Sequence, residues 1–347
     1  MLKKRQKKFN NYLKMTNDIH HIGYNPSSLF KARDILEIAR VLDTVDQVDS
    51  IWIPESWGRE AFVMIGAVAV LTKRIKLGTS IVSMFSRTPA TLSMAACTLD
   101  NISSNRTIIG IGASTPILAE NWHGIKFEHP LKRMKEYIKC FNVISSGETI
   151  NFNGKFFKLK NIKIMHGSSR KKIPVFLGAV NPGMIRLAMD LAEGIILYLR
   201  PLDELKKTLN LIRSITSKKS KSFEICSVFI TAVSNKHPNL ARVRAAKTLA
   251  FYVAVGKYYS QFLASHGFES EVREITTEYQ KHGAININKF VTDAMLDSLT
   301  IYGTVEECIK SLKRFASCGI SLPILQVNPV NDNEQSIKDS LLLVENV

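Results

Sequence analysis

The sequence predicts an α/β protein built as one closed (β/α)8 barrel. Three observations predict it. Short strand-like apolar runs recur eight times, and each is followed by a helical stretch, the order of a parallel sheet wound with crossover helices. No internal repeat or linker divides the chain. Its 347 residues and 45% hydrophobic content suffice for one large α/β domain with a real core.

Residues 20–24 form the first strand, followed by the turn Asn25-Pro26-Ser27-Ser28 and a helix over residues 29–42. The second strand, residues 50–53, ends in PESWGREAF, and a helix runs on to Leu71. The third, residues 75–84, is interrupted by Ser80 and Ser83 where a barrel strand emerges at its carboxyl face. Pro89 then sits where a helix begins, with Leu92, Met94, Ala95, Ala96 and Leu99 at helical spacing. After the fourth strand, residues 107–111, the residues Gly110, Gly112, Ala113 and Ser114 are read as a tight turn that brings backbone N–H groups close to a ligand. A helix over residues 131–144 and a hairpin turning at Asn153-Gly154 make an insertion after this strand.

The fifth strand, residues 173–177, leads into Gly178-Ala179-Val180-Asn181-Pro182-Gly183 and a helix over residues 184–192. Free N–H groups and a helix dipole at that junction favour a phosphate. Residues 192–196 are the sixth strand and 224–233 the seventh. A second insertion, about residues 238–300, reads as helices over 240–264, 270–281 and 288–299. Thr304 and Glu307 form a capping box ahead of the next helix. Residues 322–327 are the eighth strand, and 334–344 the closing helix.

The bulk chemistry narrows the function. No apolar run reaches the roughly 18–20 residues of a transmembrane helix, and the longest, residues 61–71, has the length of a buried helix. Of the net charge of +17, six charges belong to Lys3, Lys4, Arg5, Lys7, Lys8 and Lys14. Residues 1–18 therefore read as a basic disordered tail, or as a start placed too early with Met15 as initiator, and residues 19–347 as the barrel. The remaining lysines are spread over helix faces without interleaved aromatics, which disfavours nucleic-acid binding. Cys97, Cys140, Cys226, Cys308 and Cys318 form neither a CxxC nor a Cys/His cluster, so no metal site or disulfide framework is expected, and the cytoplasm is the default compartment.

Glu55, placed just after a buried strand, is either a site carboxylate at the barrel's top face or the cap of the helix that follows. Trp57 is positioned to stack on a ligand or wall off solvent, and His123 beside Trp122 reads as structural. Three linked motifs, PESWGREAF, LGTSIVSMFSRTPA and LGAVNPG, resemble the bacterial luciferase-like family, in the branch using the deazaflavin coenzyme F420. The chain is similar to the methylene-tetrahydromethanopterin reductases of that branch. The resemblance implies an oxidoreductase that passes a hydride between F420 and a small organic substrate, and a homodimer. It implies a non-prolyl cis peptide at Ser80–Ile81, with Ser80, Ile81 and Ser83 backing the cofactor ring. Gly110, Gly112, Ala113 and Ser114, with Gly178, Ala179, Asn181 and Gly183, would hold the side chain and phosphate. Glu55 and Ser56 would tune the ring, while Tyr24, Trp57 and Trp122 would line the substrate pocket. Arg59 and Arg87 are either cofactor-side or interface residues.

Departures from the family pattern matter equally. The reductases carry a glutamate on the first strand where this chain has Gly23, Tyr24 and Asn25, and relatives that dehydrogenate sugar phosphates carry one where it has Thr115. Two other readings remain: an FMN-dependent monooxygenase of the same barrel with a separate reductase, and a flavin-holding barrel without turnover.

Overall fold

A computed structural model describes residue 19, residues 21–216 and residues 222–347. The basic tail and His20 of the expected first strand lie outside the described residues. Among those described, eight parallel strands close a barrel in the order β1 (Ile22–Pro26), β2 (Val48–Ile53), β3 (Lys76–Thr79) with its continuation β4 (Val82–Ser83), β5 (Thr107–Gly112), β8 (Val175–Gly178), β9 (Gly194–Tyr198), β10 (Glu224–Val233) and β12 (Leu322–Val327). The ring closes where β12 pairs with β1. Helices α1 (Ala32–Leu42), α2 (Ala61–Leu71), α3 (Pro89–Ile102), α4 (Pro130–Ser145), α5 (Pro182–Leu191) and α6 (Leu202–Thr216) surround it, completed by α11 (Val305–Ala316) and α12 (Asn333–Glu345).

The barrel interior is packed around one large side chain. Trp52 is fully buried, donates its indole N–H to Ser50 Oγ at 2.8 Å, and lies 5.8 Å from the Phe176 ring. Its neighbours across the sheet are Gly23 and Gly78. A Cβ on Gly23 would come within 2.9 Å of the indole nitrogen, and one on Gly78 would overlap the ring. One large residue against two without side chains fills the space at native density.

The amino ends of the strands are locked by polar contacts. Asp43 accepts from the backbone N–H groups of Lys73, Arg74 and Ile75 at 2.8, 2.8 and 3.0 Å. Arg106 donates to the carbonyls of Ala69, Thr72, Ile75 and Ser103. In a (β/α)8 barrel such contacts serve stability and leave the opposite face free for chemistry.

The structure differs from the sequence reading in several places. Gly110 and Gly112 are not in a turn: strand β5 continues through them, and β3 approaches so closely that a Cβ on Gly110 would strike the Thr79 carbonyl. The sixth strand starts at Gly194, after Ala192 has ended α5. The long helix of the second insertion breaks at Gly256 into α7 (Pro238–Val255) and α8 (Lys257–Leu263), followed by α9 (Glu269–His282). The expected helix over 288–299 is a 3-10 turn, Ile287–Phe290, and then α10 (Asp293–Leu299), newly capped by the Thr292 hydroxyl. An unanticipated strand, β11 (Thr300–Gly303), extends the sheet from the far end of β10. The hairpin β6 (Ile150–Asn153) and β7 (Lys158–Ile162) and the Thr304–Glu307 capping box stand where expected. Helix α2 is not buried on all sides: Val63 and Val70 are each 75% exposed.

Candidate active site at the carboxyl face of the barrel

The third barrel strand changes course at its carboxyl end. Leu77 and Gly78 pair with Thr107 and Ile108, but Val82 and Ser83 pair with Ile111 and Gly112, so one additional residue is accommodated between the two segments. The Ser80–Ile81 peptide at this bulge is cis, as the resemblance implied. Ser80 N–H donates to Ile53 O at 2.9 Å, which ties the bulge to β2. Ile81 then leans over the next two strands: a Cβ on Gly112 would lie 2.8 Å from Ile81 Cδ1, and one on Gly178 3.3 Å from Cγ2. Residues 81, 112 and 178, far apart in sequence, thus form one contiguous surface. Ser83 is buried, and its Oγ accepts from Phe85 N–H at 3.1 Å. Ser114, beyond β5, holds a left-handed backbone with φ of 61°.

The loop after β8 ends at Asn181, whose side chain makes no cap to α5; Pro182 follows at the first helical position. That helix N-terminus keeps its positive dipole end open. Beneath the loop lies a residue the sequence reading missed, Arg200. It is buried, donates to Val180 O at 2.6 Å and to Thr208 Oγ1 at 3.0 Å, and stacks 4.4 Å from the Phe262 ring of α8. Burial pulls its pKa down to about 10, still cationic at neutral pH. Only its placement three-dimensionally behind residues 178–183 gives it meaning, and no local motif marks it.

Glu55 is held on all sides. Arg87 meets it in a two-pronged pair, Nη1–Oε1 at 2.5 Å and Nη2–Oε2 at 2.7 Å, while Ala61 N–H donates to Oε2 at 3.0 Å. Arg87 also pairs with Glu60, which accepts from Val63 N–H at 2.6 Å and caps α2. Burial opposes the charge on Arg87, but Glu55 and Glu60 outweigh it and raise its pKa. Arg87 is therefore committed to two carboxylates. Arg59 likewise turns inward, to the carbonyls of Ser28 and Phe30. Ser56 is half-buried beside Glu55.

The pocket residues divide. Trp57 is 51% exposed, its ring centroid 5.9 Å from that of Phe251 of α7 in an edge-to-face arrangement, so it stands between the β2 loop and the insertion. Trp122 is 60% exposed on a short π-helical segment, Leu118–Trp122. Tyr24 does not line the pocket. Alternation along β1 turns it outward, where it is fully buried and its hydroxyl meets Ser340 Oγ of α12 at 2.8 Å. The inward positions of that strand are Gly23 and Asn25. A groove of about 850 Å³ lies elsewhere, lined by Glu204, Lys207, His266, Asp297 and Arg314 among others. None of its lining residues is on a barrel strand, and its Glu204 is already paired with Lys207 and His266. Among the described residues no group of His, Cys, Asp and Glu is placed to hold a metal, and no helix is long and apolar enough to cross a membrane.

Residues 14–322 match the family described as luciferase-like monooxygenase. The chain belongs to this family. A 5,10-methylenetetrahydromethanopterin reductase of Archaeoglobus fulgidus is 27% identical over 300 residues, covering 84% of this chain and 88% of the relative. Among solved structures, a coenzyme F420-dependent tetrahydromethanopterin reductase of Methanopyrus kandleri superposes with a TM-score of 0.80 at 19% identity, covering 93% of this chain and 97% of the other. The oxygenating constituent of 3,6-diketocamphane monooxygenase of Pseudomonas putida, solved with FMN, superposes at 0.67 with 17% identity and coverage of 94% and 97%. At these identities the two structures establish the barrel fold.

Proposed function

We propose that this luciferase-like barrel is an F420-dependent oxidoreductase, moving a hydride between the deazaflavin and a small organic substrate, and that it acts as a homodimer. The observation carrying this reading is the Ser80–Ile81 bulge, with Ile81 laid across Gly112 and Gly178 in the setting of PESWGR and SRTPA. When bound, the cofactor supplies hydride transfer at its ring. The chain's share is placement. The bulge and Ile81 form a wall for a flat ring, residues 178–183 and the uncapped start of α5 hold the anionic side chain, and Arg200 adds positive charge from behind. Trp57 and the insertion exclude water from the ring face.

Glu55 acts through structure in this reading. Its carboxylate fixes Arg87 and the start of α2, and so sets the loop that carries Ser56 and Trp57. The dimer is supported by α2 and α3, neighbouring helices that expose Val63, Val70, Met94 and Ile102. Anaerobic stopped-flow tests the hydride reading: absorbance of bound F420 should be lost on reduction and regained with an organic acceptor. A cofactor that binds but stays redox-inert with every donor would replace the enzyme by a flavin-holding barrel. The FMN alternative has one observation in its favour, the likeness in fold to an FMN-bound oxygenase subunit.

A further inference from the structure

The rim of the barrel has two chemically different halves. Strands β3 to β8 carry the bulge and the glycines. The half formed by β9, β12 and β1 carries uncharged hydrogen-bonding groups. Asn25 and Gln326 are direct neighbours in the β1–β12 register. Tyr198 donates its hydroxyl to Gln326 Oε1 at 2.6 Å, and Gln326 Nε2 donates to Tyr252 Oη of α7 at 3.4 Å. That arrangement leaves the Tyr252 proton available. Asn25 is 2% exposed, and its Oδ1 has no hydrogen-bond partner. A buried amide oxygen left without a donor is costly, and a donor from a ligand would relieve that cost. Around these groups stands an aromatic wall, with Tyr252 edge-on to Tyr198 at 5.2 Å and Phe251 bridging Tyr252 and Trp57 at 5.9 Å each.

None of these six side chains carries a charge. Burial, with Tyr252 and Tyr259 beside it, holds the Tyr198 phenol well above its usual range, so it stays neutral. None of the six offers a phosphate or carboxylate a cation in exchange for the water it would lose. On strand one, Gly23 is hemmed in by Trp52 and Ile324, which leaves no room for a charged side chain there.

We propose that this half of the mouth binds an uncharged, flat organic substrate bearing a polar group that both donates and accepts, and that it rejects carboxylated and phosphorylated ones. The oxygen of that group takes the Tyr252 proton, its N–H or O–H reaches Asn25 Oδ1, and the ring plane rests on Phe251 and Trp57. The assignment rests on the opposite half being the cofactor's.

Two isosteric probes test it: 4-acetylbenzamide, which is neutral, and 4-acetylbenzoate, which differs by its charge. Each is titrated against the full chain by tryptophan fluorescence, with F420 titrated separately on the same preparation. The amide should bind at least about tenfold more tightly than the benzoate. Tyr252→Phe, a substitution that keeps the ring and its packing, should weaken the amide several-fold and leave F420 affinity unchanged. Equal or tighter binding of the benzoate, binding of neither probe, or indifference to Tyr252→Phe would overturn the proposal. Loss of F420 binding with the amide preference intact would instead remove the cofactor reading alone.

Discussion

At the Glu55–Arg87 pair a carboxylate that looks catalytic in sequence is consumed by structure. Both side chains are nearly buried, with 10% and 12% of their surface exposed. Removing one partner of such a pair costs about 3–5 kcal/mol, because the other charge is left without compensation. Glu55→Gln and Arg87→Met should each lower thermal stability strongly, and the double variant should recover part of the loss in urea denaturation. A Glu55→Gln variant of native stability with abolished turnover would make Glu55 a catalytic residue instead. Gly23→Ala should cost about 1–3 kcal/mol by overpacking against Trp52, read as a lowered Tm. Sequence pattern singled out Glu55 and Trp57 because they follow a strand directly. It misplaced Tyr24, since a single strand does not say which of its two faces is inward. Arg200, Gln326 and Tyr252 escaped it because their roles depend on contacts across 20 to 128 residues of chain.

Secondary elements were legible wherever one rule governs them. Hydrophobic period, Pro89 at a helix start and the Thr304–Glu307 box all predicted elements that formed. The insertion was less legible: α7, the break at Gly256, a π-helical segment at Ala264–Phe268 and the 3-10 turn are set by packing over the barrel, which overrides helix propensity. The connection from α1 to β3 carries a pH prediction. Burial pushes the Asp43 carboxyl up, but three backbone N–H donors and Arg106 outweigh it and hold it below the usual range. Glu136 is lowered in the same manner, with burial outweighed by the N–H groups of Phe156, Lys155 and Phe157 that order the hairpin. A depressed carboxyl adds stability above its unfolded pKa, about 3.9–4.3, and that stability is lost as pH falls through the folded value. Asp43→Asn should therefore lower stability at pH 7 by about 1–3 kcal/mol and narrow the difference between pH 7 and pH 3 in thermal melts. An unchanged difference would show that Asp43 does not contribute to acid sensitivity.

At the scale of the molecule, one closed barrel gathers sites separated by most of the chain onto a single face. The eight-unit order was readable from sequence because each strand is a short apolar run followed by a helical pattern. A surface that argues for association is the outer side of α2 and α3, where an all-apolar helix leaves Val63 and Val70 largely exposed. Light scattering should give about twice the 39.0 kDa chain mass, and Val63→Lys with Val70→Lys should give a folded monomer. Monomeric wild-type protein would remove the dimer. The cofactor decides the larger account, through a side-by-side equilibrium titration of the purified full chain with coenzyme F420 and with FMN, followed by fluorescence. Micromolar or tighter binding of the deazaflavin with FMN ignored, about 8 kcal/mol or more of binding free energy, is the predicted result. Preference for FMN would contradict it and turn the barrel toward oxygen chemistry with a reductase partner.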